Sequence, residues 1–209
     1  MINVPSEYTS IKEWLLIGPM GPELSSSLKH LPIICVDGGS QFTQDATIWI
    51  GDGDSGKIPQ DHPATFIYPR DKDHSDLSLA LSILITSEAQ TLHLWGFFGG
   101  RTDHFLANLG EIHHFLNQKP STKIIFYDDQ GTPKTTVLSK GEWTLNINSL
   151  FSVFMLEKAN ISIIGACKYQ IPSSVELRPL SSLGLSNSGQ GEVKMTSSGP
   201  FFVIQEREL

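Results

Sequence analysis

The chain has 209 residues and a formal net charge of −7 at pH 7, which argues against nucleic acid or an anionic membrane as its main partner because both attract basic surfaces. With 39% hydrophobic and 18% charged residues, its composition is that of an ordinary globular protein, large enough for one domain or two small ones. No signal-peptide pattern opens the sequence, no apolar run reaches the roughly 20 residues that cross a bilayer, and the two cysteines lack metal-ligand spacing, so we expect a cytoplasmic protein with two free thiols.

The first 130 residues alternate short apolar runs with helical patterns. Apolar runs predict strands at residues 14–17, 32–36, 47–50, 64–68, 91–95 and 123–127. A short helix is predicted at residues 24–31. Apolar residues at helical spacing predict two longer helices, one with Leu77, Ala80, Leu81 and Leu84, the other with Phe105, Leu109, Ile112 and Leu116. Ser75 or Asp76 is the expected N-cap of the first of these. This alternation predicts a parallel sheet covered on both faces, which is a three-layer α/β domain.

The pattern changes at about Gly131, after which helical periodicity disappears. Short strand-like runs follow at residues 135–138, 142–147, 151–156, 161–164, 193–196 and 201–205. Turn-forming Gly, Ser, Asn and Pro residues separate these runs, which predicts a small antiparallel sandwich or barrel. We therefore expect an α/β domain at residues 1–130 and an all-β domain at residues 131–209.

Charged residues follow several of the predicted parallel strands. In an open parallel sheet, ligands bind beyond the carboxyl ends of the strands. The charged residues expected along this edge are Asp37, Asp52, Asp54, Asp73, Asp76, Arg101 and Asp103. Single aspartates in loops are most often turn formers, but carboxylates gathered at one edge repel one another unless a cation compensates them.

The turn at residues 51–56 satisfies the spacing of a dinucleotide-binding G-x-G-x-x-G motif. Its two carboxylates, Asp52 and Asp54, would repel a pyrophosphate on the bare backbone, and the two prolines within residues 57–63 prevent the regular helix that this motif requires. A calcium loop starting at Asp52 would place Pro63 at the twelfth position, where glutamate is needed. Two carboxylates beside a polyphosphate are instead consistent with a bridging divalent cation, and we interpret the turn as a magnesium-phosphate site.

Two glycine pairs also follow predicted strands. Gly38 and Gly39 allow close backbone approach to a phosphate, although a plain turn explains them nearly as well. Gly99 and Gly100 precede Arg101, whose planar guanidinium suits phosphate oxygens. Asp103 is either a site residue or the N-cap of the next helix. His104 and Asn108 share one face of that helix, where they either line the site or face solvent.

Other metal and catalytic motifs are absent from the sequence. The adjacent His113 and His114 diverge by about 100° on a helix, and no spaced His or Cys pair indicates zinc. The G-x-S-x-G turn of serine hydrolases and the P-loop G-x-x-x-x-G-K are both missing. These absences disfavour zinc, serine-triad and P-loop chemistry.

Taken together, the motifs resemble the thiamine pyrophosphokinase family, whose members transfer a pyrophosphoryl group from ATP to thiamine and release AMP. The matching segments are residues 37–39 (Asp-Gly-Gly), 51–55 (Gly-Asp-Gly-Asp-Ser), 72–76 (Lys-Asp-His-Ser-Asp), 99–104 (Gly-Gly-Arg-Thr-Asp-His) with Asn108, 165–169 (Gly-Ala-Cys-Lys-Tyr) and 184–187 (Gly-Leu-Ser-Asn). They occur in the family's order along almost the whole chain. The resemblance implies an α/β catalytic domain, a β-sandwich and a homodimer with thiamine bound between subunits.

The resemblance also implies roles for individual residues. Mg²⁺ would be held by Asp37, Asp52 and Asp54. Catalytic roles are implied for Asp52, Asp54, Asp76, Arg101 and Asp103, with Asp76 favoured as the group that orients or deprotonates the thiamine hydroxyl. ATP binding is implied for Asp37, Gly38, Gly39, Lys72, Asp73, Gly99, Gly100, His104 and Asn108. Thiamine binding is implied for Tyr169, Ser186 and Asn187.

Three features depart from the family pattern. Gly53 replaces an aromatic residue between the two metal-site aspartates, Ser75 replaces a threonine, and the segment between Asp37 and Asp52 is shortened. Two alternatives therefore stand beside the main hypothesis. One is a related magnesium-dependent pyrophosphotransferase or hydrolase with another acceptor, and the other is a non-catalytic sensor of thiamine or nucleotide.

Overall fold

The structure, a computed structural model, describes residues 3–21, 24, 27–53, 64–98, 100–128 and 130–206. The chain divides into two compact units. The first unit comprises Met1–Phe115 and Ile124–Pro133, and the second comprises Leu116–Lys123 and Lys134–Leu209.

The first unit contains a mainly parallel sheet with helices in its connections. Its strands are β1 (Glu13–Ile17), β2 (Ile33–Val36), β3 (Ile48–Gly51), β4 (Thr65–Ile67), β5 (Thr91–Trp95) and β6 (Lys123–Tyr127). It also contains helix α1 (Asp76–Leu84) and most of helix α2 (Thr102–Gln118), whose last three residues belong to the second unit. The strand order is β6-β5-β1-β2-β3-β4, and β1 to β5 pair in parallel. All six strands predicted from apolar runs are confirmed.

The order of the strands creates a switch point beside β1. Leu16 pairs with Ile34 of β2 on one side and with Leu94 of β5 on the other. The chain leaves β1 towards β2 but leaves β5 towards β6, so the two connections diverge. In open α/β sheets, the crevice at such a divergence is where ligands bind.

Burial explains why the apolar runs form these strands. Every residue of β2 and β3 is buried, and removing one such side chain from water contributes about 1.5–3 kcal/mol. On one face of the sheet, Trp49, Trp95 and Tyr127 belong to a single buried cluster. Helix α1 packs against β2 and β3.

Helix α1 begins where its capping residue predicts. The Ser75 side chain accepts a hydrogen bond from the backbone N–H of Ser78 at 3.1 Å, an arrangement that stabilises a helix by about 1 kcal/mol. Leu77, Ala80 and Leu84 are buried on its inner face. The predicted helix and its Ser75 cap are therefore confirmed.

One helix prediction is wrong, and one alternative left open by the sequence is excluded. The described residues 27–30 form turns rather than the expected helix, with Leu31 donating to the Leu28 carbonyl at 3.1 Å. This segment is short, serine-rich and followed by Pro32, so it cannot offset the cost of nucleating a helix. Asp103 is not the N-cap of α2, because the helix already begins at Thr102.

The second unit is formed by antiparallel strands. They are β7 (Pro133–Leu138), β8 (Gly141–Ile147), β9 (Leu150–Met155), β10 (Ala159–Cys167), β11 (Ile171–Leu177), β12 (Asn187–Ser197) and β13 (Phe201–Glu206). Their order is β11-β10-β12-β9-β13-β7, and β8 also pairs with β12. All seven strands contribute buried residues to one apolar cluster, among them Ile147, Phe151, Ile161, Leu177, Met195 and Phe201.

Strand β11 was missed from the sequence, and β10 and β12 are longer than predicted. The β11 residues include Pro172 and two serines, and most of them are exposed. β11 lies at the end of the strand order, and an edge strand tolerates a proline because one side of its backbone needs no ladder partner.

No helix in the described part of the chain is both long and apolar enough to cross a bilayer.

We predict that Gly39→Ala destabilises the protein by about 1–3 kcal/mol, the usual cost of overpacking. A β-carbon at Gly39 would lie 2.0 Å from the carbonyl oxygen of Ile17, so the backbone must shift. Denaturant unfolding measures the change. The matched control is Gly110→Ala within α2, where a β-carbon meets nothing within 4 Å. This variant should increase the free energy of unfolding by about 0.5–1 kcal/mol, because alanine favours a helix over glycine. Equal stability of Gly39→Ala and wild type would contradict the close approach.

Candidate active site

Asp37 and Asp52 follow the ends of β2 and β3. Asp37 opens a short 3-10 helix, Asp37–Gln41, in the left-handed region with φ 50°, a conformation that non-glycine residues adopt mainly where surrounding structure imposes it. A β-carbon on Gly51 would lie 2.9 Å from Asp37 Cα and 3.4 Å from Asp37 Oδ1. Gly51 directly precedes Asp52, and its lack of a side chain leaves room for Asp37 beside it.

Lys72 links two of the carboxylates. Its ammonium lies 3.2 Å from Asp52 Oδ2 and 3.2 Å from Asp76 Oδ1. The side chains of Lys72, Asp52 and Asp76 are only 13%, 12% and 23% exposed. Asp76 is held at this position because it is the first residue of α1, directly after the Ser75 cap.

The local charges shift two pKa values. Partial burial raises the pKa of Asp76, and the negative charges of Asp37 and Asp52 add to this, while Lys72 opposes it. Burial by itself would lower the pKa of Lys72, but its close contacts with the carboxylates of Asp76 and Asp52 outweigh this and raise it. The effect of Asp37 on Asp76 shows that the three carboxylates share one electrostatic environment.

Two polar atoms of the 3-10 helix after β2 are buried without a hydrogen-bond partner in the described part of the chain. They are Asp37 Oδ1 and Ser40 Oγ. Buried polar atoms are normally paired, so such exceptions are consistent with a ligand, ion or water. Ser40 could not be identified from the sequence, because a single serine in a turn carries no distinguishing signal.

The carboxylates at this edge suit a metal ion that is shared with a bound substrate. Within the described residues, no three His, Cys, Asp or Glu side chains lie close enough together to hold a metal ion by themselves, and the predicted ligand Asp54 lies outside those residues. Mg²⁺ does not require such a cage, since it commonly binds one or two carboxylates together with water and substrate phosphates. The oxygen donors of Asp37 and Asp52 fit Mg²⁺, and Asp37 Oδ1 accepts no hydrogen bond from the residues that the structure describes.

The glycine-rich loops after β1 and β5 pack against each other at the switch point. Gly18 donates to the Trp95 carbonyl at 2.7 Å, and Met20 donates to the Gly96 carbonyl at 3.2 Å. Gly100 has φ 68°, and a β-carbon there would lie 2.1 Å from Met20 Sδ. Gly100 thus has a packing role that the sequence analysis did not foresee, as does Gly39 against Ile17.

Arg101 and Asp103 form an exposed ion pair beyond β5. Arg101 donates from Nε to Asp103 Oδ1 at 3.1 Å and from a terminal nitrogen to Oδ2 at 2.6 Å. The two side chains are 70% and 65% exposed, where ion pairs contribute little to stability. Because the guanidinium fork already binds a carboxylate, its geometry also suits a phosphate group.

The remaining predicted residues of the first unit are distributed as follows. Asp73 and His104 are exposed, Asn108 is half-buried and Gly38 is buried. Gly99 lies outside the described residues, as does Asp54. The structure therefore brings together Asp37, Asp52, Lys72 and Asp76, while Arg101 pairs with Asp103.

In the second unit, Asn187 holds the turn that carries Tyr169. Asn187 Oδ1 accepts from the backbone N–H of Tyr169 and of Ser188, both at 2.9 Å, and Nδ2 donates to the Tyr169 carbonyl at 2.7 Å. Asn187 is buried at 6% exposure, whereas Tyr169 is 56% exposed. These bonds occupy most of the hydrogen-bonding capacity of the Asn187 amide.

Lys168 and Ser186 complete the surroundings of this turn. The Lys168 ammonium lies 5.1 Å from the centroid of the Tyr169 ring, within cation–π range. Ser186 is exposed in the left-handed region with φ 56°. The pairing of β10 with β12 shifts register between Gly165 and Cys167, and such irregularities frequently lie beside functional sites.

A sequence model of a known family matches this chain. Residues 27–126 match the family described as "Thiamin pyrophosphokinase, catalytic domain". Over 112 residues the chain is 33% identical to the thiamine pyrophosphokinase of Bacillus subtilis (strain 168), a match that covers 49% of this chain and 51% of that protein. The match thus spans about half the length of this curated relative. The resemblance found in the sequence is confirmed.

Solved structures of the same family have a similar fold. The thiamine pyrophosphokinase from Bacillus subtilis has a TM-score of 0.72 at 22% identity, covering 95% of this chain and 100% of that one. The thiamin pyrophosphokinase from Geobacillus thermodenitrificans has a TM-score of 0.70 at 20% identity, covering 94% and 98%. At these identities the likeness concerns the fold, a mixed, sheet-dominated α/β fold.

We predict that Arg101→Gln raises the pKa of Asp103. The hydrogen bonds from Arg101 hold the Asp103 pKa at about 2, below its ordinary value of 3.8. The ion pair therefore persists at high pH and is lost as pH falls through about 2, whereas in the variant Asp103 should protonate near its ordinary value. NMR titration of the carboxyl carbon measures both midpoints. The control is Lys134→Met, which removes a cation that pairs with Glu206 and not with Asp103. An unchanged midpoint in Arg101→Gln would refute the pairing.

Proposed function

We propose that this chain, whose residues 27–126 match the catalytic domain of thiamin pyrophosphokinase, transfers a pyrophosphoryl group from ATP to the hydroxyl of thiamine. The products are thiamine diphosphate and AMP. The observation that carries the proposal is the group formed by Asp37, Asp52, Lys72 and Asp76 beyond β2, β3 and β4. A cationic side chain among carboxylates at this edge is suited to binding a metal-bound polyphosphate.

The first unit would bind ATP and Mg²⁺. Asp37, Asp52 and Asp54 would hold the ion, which when bound neutralises phosphate charge and polarises the β-phosphate. Asp37 Oδ1, which is buried and accepts no hydrogen bond within the described part of the chain, supports this assignment. Gly38 and Gly39, the Gly99–Gly100 pair, Asp73, His104 and Asn108 would border the nucleotide.

The protein's own part in the transfer is positioning and charge compensation. The thiamine hydroxyl oxygen forms a bond to the β-phosphorus while the bond from that phosphorus to the α–β bridging oxygen breaks, and AMP leaves with the electron pair. Asp76 accepts the hydroxyl proton, a role that its raised pKa favours. Lys72 and Arg101 stabilise charge on the phosphate oxygens. Asp103 holds the Arg101 fork until phosphate replaces it.

Thiamine would bind in the second unit through Tyr169 and Ser186. The cationic thiazolium ring would stack on the Tyr169 ring, taking the place of the Lys168 ammonium or using the opposite face. Asn187, whose amide is bonded to the Tyr169 backbone, would contribute by fixing the turn that carries the ring.

Further parts of the proposal concern architecture, assembly and location. We propose a three-layer α/β domain at residues 1–130 and a β-sandwich at residues 131–209, which the single core of the second unit supports. We also propose a homodimer with thiamine bound between subunits. A cytoplasmic location is supported by Cys35 and Cys167, which are both free thiols. Neither nucleic acid nor a membrane is part of the proposal.

We predict that the wild-type protein forms AMP and thiamine diphosphate from ATP, thiamine and Mg²⁺, and that Asp52→Asn lowers turnover about 10²-fold or more, the usual effect of removing one electrostatic stabiliser. Product chromatography measures both. Asp45→Asn, an exposed carboxylate of the first unit, is the matched control and should retain full turnover. If water were the acceptor, AMP and pyrophosphate would form without thiamine diphosphate. An enzyme that needs a different acceptor would leave ATP unconsumed in this mixture until that acceptor was added, and a sensor would bind thiamine or ATP and turn over with no acceptor.

We predict that Tyr169→Ala raises the KM for thiamine several-fold, because a lost cation–π contact costs about 1–2 kcal/mol. The KM for ATP should stay within about twofold, which is the pattern of lost uniform binding. Tyr169→Phe keeps the aromatic face and should retain the wild-type KM for thiamine. Steady-state kinetics distinguish these cases, and equal losses for both substrates would indicate damage to the fold instead of a lost contact.

A further inference from the structure

The ammonium of Lys72 is shared between two poorly exposed carboxylates. It lies 3.2 Å from both Asp52 Oδ2 and Asp76 Oδ1, and none of the three side chains is more than 23% exposed. Asp37 lies beside Gly51 and acts electrostatically on Asp76. Two carboxylates therefore share this ammonium, and the third, Asp37, acts on one of them. Removing the ammonium takes away this compensation, so the like charges repel more strongly where water is largely excluded.

We propose that Lys72 is an internal counter-cation that competes with the divalent metal ion for these carboxylates. When no metal is bound, its ammonium compensates Asp52 and Asp76. Metal binding displaces the ammonium from Asp52, and the freed side chain then turns to the phosphate oxygens of the nucleotide. This inference rests on the proposed function of the site, but its test does not depend on turnover.

The competition follows from the atoms involved. Asp52 is a proposed metal ligand, and its Oδ2 already accepts from Lys72. Mg²⁺ binds carboxylate oxygens at about 2.0–2.1 Å, and an ammonium on the same oxygen would be repelled by the ion. Lysine suits this exchange because its charge is compact and its four-carbon stem is flexible, unlike the rigid fork of arginine.

A purely structural role for Lys72 predicts the opposite result. Lys72 lies between Asp52 at the end of β3 and Asp76 at the start of α1, so its two ion pairs tie these elements together. If this were its only role, replacing Lys72 would loosen the carboxylates and weaken metal binding. Competition instead predicts that metal binds more tightly when the ammonium is removed.

The test is the affinity of Lys72→Met for Mn²⁺ and Mg²⁺, measured on the full chain by calorimetry without nucleotide. Mn²⁺ serves as a probe because it prefers the same oxygen ligands. We expect Lys72→Met to bind the ion about tenfold more tightly or better, the factor that corresponds to about 1.4 kcal/mol. Without metal the variant should melt at a lower temperature than wild type, and Mg²⁺ should raise its Tm by more than it raises the wild-type Tm.

Two further variants serve as controls for the metal affinity of Lys72→Met. Lys12→Met removes an ammonium that pairs with Glu88 on the exposed surface of the same unit, and it should leave metal affinity unchanged. Lys72→Arg keeps the positive charge and should bind metal no more tightly than wild type. If Lys72→Met fails to fold, Mg²⁺ titration of the wild-type protein should still shift the NMR signal of the Lys72 ammonium, and a signal that does not move overturns the proposal.

The outcomes separate this inference from the proposed function. Equal or weaker metal binding by Lys72→Met overturns the inference even if the wild-type protein forms thiamine diphosphate. Tighter binding by Lys72→Met supports the inference even if no thiamine diphosphate forms, in which case only the proposed reaction fails. Absence of metal binding in both proteins overturns the inference together with the metal site.

Discussion

The candidate site depends on compensating several negative charges at one edge of a sheet. Parallel strands end at the same edge, so aspartates that follow β2, β3 and β4 are brought near one another. Lys72 balances two of them, at 3.2 Å from Asp52 and from Asp76. Without a cation, this edge would oppose folding by mutual repulsion. The same excess of negative charge that requires Lys72 makes the edge suited to a divalent ion, which can in turn bind a polyphosphate.

Close backbone packing makes that edge possible. Gly51 leaves space for Asp37, Gly39 lies against the Ile17 carbonyl, and Gly100 lies under Met20. In each case a β-carbon would approach a neighbouring atom more closely than van der Waals contact allows. These glycines therefore serve the packing of the loops directly, and any approach to phosphate would come in addition to this role.

The second unit presents an aromatic side chain by different means. Its seven strands share one apolar core, and the turn carrying Tyr169 is held by the buried amide of Asn187. A polar side chain at 6% exposure is stable there because three backbone partners satisfy it. The result is an exposed ring on a fixed turn, which reduces the ordering cost of stacking a cationic ligand.

The sequence by itself determined the elements whose signal is local. Apolar runs predicted the strands of the first unit, Ser75 predicted the start of α1, and the ordered motifs predicted the family. Only the tertiary structure decided which side chains meet, because Lys72 and Asp52 are 20 residues apart and Tyr169 and Asn187 are 18 apart. The tertiary structure also decided that residues 171–177 form β11. These mostly exposed, proline-containing residues form a strand only because they pair with the backbone of β10. Local patterns report burial and backbone preference, whereas pairing between distant residues is set by the packing of the whole chain.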